Sequence, residues 1–241
     1  MNEVNKRTLI WGNGSQARLL HKIICDQELG VVTSFVDLYA TGNLFDSEAL
    51  VATNLESVVR AINESDQFVV AIGSHYGAAR LKIFEMLCHL GKLPLDVIHP
   101  TAVIQPSARV ASGVLAMPSA MVGYFTVIGK SCVLNSGSSV DHECDIGDGV
   151  HIMGAATVTG RVKIGNYATV GSNATILPDI NIGVGAYIGA GAVVTKDVPE
   201  WTVVTGVPSK PLKRTELEID EITLSMVRNV LSEHKLTVGR P

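Results

Sequence analysis

The sequence predicts a small parallel α/β sheet, then a long coil of short parallel strands, then a C-terminal helix. Three observations carry that prediction: strand and helix patterns alternate at the start, an unbroken period of six occupies the middle, and charge and rings are scarce only in the periodic part. The 241 residues are 46% hydrophobic, 5% aromatic and 17% charged, where about 25% charged is usual for a soluble domain. Residues 98–194 hold nine charged side chains in 97 positions, against 33 in the other 144. The middle of the chain is therefore a different material from its ends.

The first 97 residues read in order as strand Thr8 to Trp11, helix Ser15 to Leu29, strand Val31 to Asp37, helix Asn54 to Asn63, strand Gln67 to Gly73 and helix Tyr76 to Leu90. Such alternation makes a small Rossmann-like parallel sheet. Its first turn, Gly12-Asn13-Gly14-Ser15-Gln16-Ala17, has the G-x-G-x-x-A form. That form either brings a phosphate to a helix N-terminus or makes a tight turn with no ligand. Asp37 closes the second strand, where an acid can meet a ribose hydroxyl.

From Ile98 to Val194 every sixth residue is apolar, at all 17 positions. Composition alone gives such a run on the order of once in 10⁵ to 10⁶ trials. Four residues later the side chain is usually small, as at Thr126, Cys132, Ser138, Cys144, Ala156 and Ala168, and the next residue is often glycine. A period of six excludes a helix, and hairpins would place turns every 8 to 12 residues. Three six-residue faces make an 18-residue triangular coil whose successive turns stack about 4.8 Å apart. Its narrow interior takes Ile, Val and small residues and leaves no room for rings.

After the coil, Thr215-Glu216-Leu217-Glu218 reads as a capping box before a stripe of Ile219, Ile222, Met226 and Val230, a helix expected to lie on the last coils or on a neighbour. The expected domains are 1–97, 98–213 and 214–241. A mean hydropathy of +0.29 does not indicate a membrane protein, since no apolar stretch approaches the 18 or so residues a spanning helix needs. The start has no apolar run of signal-peptide length, and a cytoplasmic protein is expected. Cys25, Cys88, Cys132 and Cys144 form no C-x-x-C pair, so they are expected to stay reduced, and no metal site is expected. A pI of about 6.0 argues against nucleic acid as a partner.

His142 is the sharpest chemical candidate. Counting from inward Val140, it falls at an outward corner, and the residue stacked 18 positions on is Gly160. An imidazole can accept a proton at neutral pH, and a neighbouring backbone amide can hold a thioester oxygen. On the residues alone His142 is either such a base or a solvent-facing coil histidine. Asp141 and Glu143 compete as its partner.

Over about 100 residues the period resembles that of the hexapeptide-repeat, left-handed β-helix acyltransferases. The left hand comes from that resemblance, because the crossover rule favours the other. The resemblance implies a homotrimer with active sites between subunits and acetyl-CoA in the groove between neighbouring coils. Val140-Asp141-His142-Glu143-Cys144-Asp145-Ile146-Gly147 is similar to the signature of the branch that acetylates bacterial surface sugars, namely the nucleotide-aminosugar N-acetyltransferases and the sialic-acid O-acetyltransferases.

Carried over, His142 is the catalytic base, Glu143 orients it, His151 is a second histidine at the acetyl-CoA site, and Gly160 supplies the amide at the acetyl group. Gly206-Val207-Pro208-Ser209-Lys210 is similar to the branch's G-V-P-A-K segment, which places Gly206 and Lys210 at the CoA pocket. The resemblance assigns the sugar nucleotide to Gly12, Asn13, Gly14, Ser15, Gln16, Asp37, Ser74, His75 and Arg80, with Gln16 standing where the branch has a histidine. No long loop interrupts the period from 98 to 194, so the α/β part is expected to hold a bulky, nucleotide-linked acceptor. The function implied is acetyl-CoA-dependent N-acetylation of a nucleotide-linked amino-deoxysugar in surface-polysaccharide biosynthesis. O-acetylation of a sialic acid is the alternative, and a β-helical scaffold without turnover is the alternative of another class.

Overall fold

The computed structural model describes residues 5–40, 49–73, 75–216, 219 and 221–238. The chain divides into two compact units. Met1–Ile72, Lys82–Leu95 and Ile219–Pro241 form one, and Gly73–Leu81 with Asp96–Glu218 form the other.

The first unit is built on β1 (Arg7–Trp11), α1 (Ser15–Asp26), β2 (Val31–Val36), β3 (Leu50–Ala52), α2 (Leu55–Glu64), β4 (Gln67–Val70), α3 (Gly77–His89) and β5 (Leu93–Pro94), with the division between units falling inside α3. The strands run parallel in the order β3-β2-β1-β4-β5. Leu9, Ile10, Phe35, Val36, Phe68 and Val69 are buried at consecutive positions, as befits strands covered on both faces. The unit has two strands that periodicity does not reveal, because three residues in β3 and two in β5 are too few to show an alternation.

α1 buries Ala17, Leu20, Ile23 and Ile24, the i, i+3, i+4 stripe of an amphipathic helix. It stops at Asp26, earlier than the pattern suggests, because Glu28 and Gly30 take positive φ. α2 is capped reciprocally: the Asn54 side chain accepts from Ser57 N, and Ser57 Oγ accepts from Asn54 N.

α4 (Glu221–Val238) packs against α2, where the sequence offered the last coils or a neighbour. Its buried residues include Thr223, Val227 and Val230, while Ile222 is exposed. Both stripes have helical spacing, so the sequence does not choose between faces one residue apart. Thr215 lies six residues ahead of the helix and its N–H bonds to Trp201 O, so it is not the cap. Leu217 and Glu218 lie outside the described residues, as does Ser74. Among the described residues no helix is long and apolar enough to cross a membrane.

In the second unit the period of six becomes a stack of two-residue strands, each paired in parallel with the residues 18 before and after, as in Met121↔Ser139↔Thr157↔Thr175↔Val193. The three faces are a six-stranded, a five-stranded and an eight-stranded sheet. Every inward position from Ala116 to Val194 is buried, as are the small partners Thr126, Cys132, Ser138 and Cys144; Ile98, Ile104 and Val110, in the first coil, are half-buried. Coils approach so closely that a Cβ on Gly165 would lie 2.6 Å from Val184 N. Burial pushes the Cys132 thiol up to about 12, which leaves it protonated and inert.

The eight-stranded face is buried on its outside too, at Val97, Leu115, Val133, His151 and Thr169. Arg80, fully buried, docks there. Its Nε donates to Ser131 O at 2.8 Å and its Nη2 to Gly149 O at 2.6 Å and Val150 O at 3.4 Å. Burial lowers the guanidinium to about 10, still charged at neutral pH. Arg80 is thus a clamp on coil carbonyls and is withdrawn from the sugar-nucleotide set. Arg80→Ala is expected to destabilise the coil by about 3 kcal/mol, because it strands buried acceptors, and to lower the urea midpoint accordingly.

Candidate active site

The corner at His142 is set by its flanks. Val140 and Cys144 point into the coil, and Thr126 Oγ1 ties the corner down by donating to Asp141 O and accepting from Cys144 N. Glu143 takes φ +56, and its N–H donates to Tyr124 O one coil below. The His142 ring is thereby turned out to solvent.

The structure also chooses between the two acids. Asp141 Oδ1 accepts the His142 backbone N–H at 2.8 Å, whereas Glu143 Oε2 lies 2.9 Å from the ring Nδ1. Facing a carboxylate that only accepts, Nδ1 carries the proton and Nε2 of the neutral ring keeps its lone pair. With side chains 43% and 54% exposed, the pair adds little stability. Its effect is to orient the base.

Nε2 lies over Gly160. A Cβ added there would be 2.5 Å from Nε2 and 2.6 Å from Cε1, so only glycine leaves room for the ring. The next residue, Arg161, donates its backbone N–H to His142 O, and its guanidinium makes a forked pair with Asp179 at 2.6 and 2.8 Å. That pair holds the Asp179 carboxyl below its usual range and raises the Arg161 guanidinium. It is absent from the sequence reading, although both residues are among the nine coil charges and stand one coil apart.

His151 does not join this corner within one chain. It is buried on the eight-stranded face, between Val133 and Thr169, and the His142 corner joins the other two faces. Gly206 has φ +97 and sits between the antiparallel strands Thr202–Thr205 and Lys210–Arg214. Its carbonyl accepts from Val193 N, and Ser209 N donates to Val193 O. The loop therefore pairs with the edge strand of the same six-stranded sheet that carries Ser139–Val140 into the corner. Three strand steps separate Val193 from Ser139, about 14 Å at sheet spacing. Lys210 is exposed beside it.

In the first unit, Gly12 takes φ +124, donates to Val36 O, and has Ala71 O so close that a Cβ would lie 2.8 Å from it. Gly14 caps α1 with open space around its Cα, Ser15 is exposed, Gln16 is half-buried and Asn13 is buried. These residues follow β1, beside β4, where the strand order reverses. That is the usual ligand crevice of such sheets, with helix N–H groups facing it. Asp37 follows β2 and its Oδ1 accepts the Tyr39 N–H at 2.9 Å. His75 belongs to the coil unit, its ring tilted 35° to that of Tyr76 with centroids 4.2 Å apart and edge-on to Tyr187 at 6.3 Å. Among the described residues no group of three or more His, Cys, Asp or Glu side chains is placed to hold a metal ion.

Comparison with known proteins bears on this geometry. The profile described as Bacterial transferase hexapeptide (six repeats) matches residues 143–178, which begin at Glu143. GDP-perosamine N-acetyltransferase of Escherichia coli O157:H7 is 32% identical over 160 residues, spanning 64% of this chain and 70% of that protein. A crystal structure of a histidine-to-asparagine variant of perosamine N-acetyltransferase from Caulobacter crescentus, in complex with CoA and GDP-perosamine, aligns with a TM-score of 0.78 and 27% identity, covering 86% of this chain and 96% of the other. The acetyltransferase domain of PglB from Neisseria gonorrhoeae FA1090, in complex with acetyl coenzyme A, aligns with a TM-score of 0.78 and 26% identity over 86% of this chain and all of that one. With the coil, the preceding α/β unit and the His142 corner in place, the chain belongs to the hexapeptide-repeat, left-handed β-helix acetyltransferases, in the branch of the nucleotide-aminosugar N-acetyltransferases.

Proposed function

We propose that the chain transfers an acetyl group from acetyl-CoA to the amine of a nucleotide-linked amino-deoxysugar, and that the corner at His142 carries the transfer. The observation that carries the reading is the ring itself, with Nδ1 held by Glu143 and Nε2 presented over the gap at Gly160. The amine lone pair forms the C–N bond, the C–S bond breaks and CoA leaves as the thiol. Nε2 accepts the proton that the nitrogen loses and returns it to the departing sulfur. The Gly160 amide faces the developing oxyanion. The loop from Gly206 to Lys210 holds the far end of the donor, and the six-stranded face leads from it to the corner.

The crevice of Gly12, Asn13, Gly14, Ser15, Gln16 and Asp37 takes the nucleotide. The same reading includes a homotrimer with sites between subunits, a cytoplasmic location and a step in surface-polysaccharide biosynthesis. Glu143→Gln keeps an acceptor for Nδ1–H but removes the charge, and kcat measured at saturating substrates is expected to fall about tenfold.

The test of the reading is thiol release from acetyl-CoA with UDP-, GDP- and TDP-linked aminosugars and with free sialic acid. Release stimulated by a nucleotide-linked aminosugar is the expected result. Release with sialic acid alone would replace it by O-acetylation, and tight acetyl-CoA binding with no release would replace it by a scaffold.

A further inference from the structure

The proposed transfer uses the Gly160 side of His142 and leaves the other side unexplained. Residues 98–194 contain four Tyr or Phe rings and no Trp. Two of them, Tyr124 and Phe125, stand side by side at solvent, 51% and 67% exposed, with centroids 6.2 Å apart and planes inclined at 45°. They form the corner one coil before His142 and Glu143, joined to it by the bond from Glu143 N to Tyr124 O at 2.9 Å.

Phe125 takes φ +61, a left-handed conformation uncommon for a bulky residue, and its N–H donates to Ser107 Oγ at 3.1 Å. The left-handed φ is shared by Glu143, Arg161 and Asp179 at the same corner of the following coils, so it belongs to the corner; the exposed apolar area has a cost, and neither ring fills the core. Exposed apolar patches of this kind mark contact surfaces.

We infer that Tyr124 and Phe125 are the platform for the apolar face of the acceptor's sugar ring and so determine acceptor specificity, an inference that rests on the proposed acetyl transfer. The direction follows from the corner. Nε2 is turned toward Gly160, and the route from the Gly206 loop reaches Gly160 from the C-terminal coils. The donor therefore occupies that side. The acceptor enters from the N-terminal side, where one coil away, about 4.8 Å, lies this pair. A pyranose ring has a face of C–H bonds that packs on an aromatic surface while its hydroxyls stay at the rim.

The test is steady-state kinetics of the full chain with the nucleotide-linked aminosugar that it turns over best. The double variant Tyr124→Ala, Phe125→Ala is expected to raise the acceptor KM about tenfold or more, with kcat at saturating acceptor and the acetyl-CoA KM unchanged. Tyr124→Phe and Phe125→Tyr are each expected to retain the wild-type acceptor KM. An unchanged acceptor KM in the double variant, or a rise confined to acetyl-CoA, overturns the platform and leaves the transfer standing. A double variant that loses assembly mass in sedimentation overturns it in favour of a contact between copies of this chain. A wild-type protein that turns over no nucleotide-linked aminosugar overturns the transfer and the platform together.

Discussion

His142→Ala is expected to lower kcat by about 10² to 10⁴, the usual contribution of a general base, while acetyl-CoA binding measured by calorimetry stays close to wild type. The split follows from position. The ring projects from an exposed corner, and the corner is held without it by Val140, Cys144 and the Thr126 bonds to Asp141 O and Cys144 N. The substitution removes a solvent-facing side chain and leaves the core intact, so melting is expected to shift little. A variant with wild-type turnover would remove His142 from the mechanism.

Gly160→Ala is the second large effect, reached by adding one methyl group. The backbone at Gly160 is not among those with positive φ, so alanine is conformationally acceptable. The obstacle is the imidazole, with Nε2, Cε1 and Cδ2 at 2.5, 2.6 and 3.1 Å from the added Cβ. The ring must swing away, breaking the 2.9 Å contact of Nδ1 with Glu143. Displacing a reacting group by about 1 Å costs on the order of 10² in rate, and the methyl also occupies the space assigned to the acetyl group. Turnover is expected to approach that of His142→Ala. Gly154→Ala is the control: the nearest atom to its Cβ is Ser136 O at 3.6 Å, and activity is expected to be unchanged.

The coil was legible because each inward position obeys one rule, large apolar side chain or small, imposed by the close approach of successive turns. The corner phase likewise identified His142 and its neighbour Gly160 by counting. The choice between Asp141 and Glu143 was not legible, since it depends on the sign of φ at residue 143 and on which carboxylate caps the backbone amide. Of the other acids near His142, Asp148 accepts the Lys130 N–H and Asp145 lies opposite Lys163. Of the acids between 141 and 148, Glu143 is the one hydrogen-bonded to the ring. Arg80 was misread because a basic residue after a strand end resembles a phosphate ligand in sequence, and only the fold reveals that its donors meet coil carbonyls. The buried face of α4 was missed because two stripes one residue apart satisfy the same spacing.

The most direct test is the chemical identity of the product. The wild-type protein is incubated with acetyl-CoA and nucleotide-linked aminosugars, and the sugar nucleotide is weighed by mass spectrometry before and after mild alkali. One added acetyl group that survives alkali, as an amide does, is the expected result. An acetyl group lost in alkali, or none on any nucleotide-linked aminosugar, would contradict it.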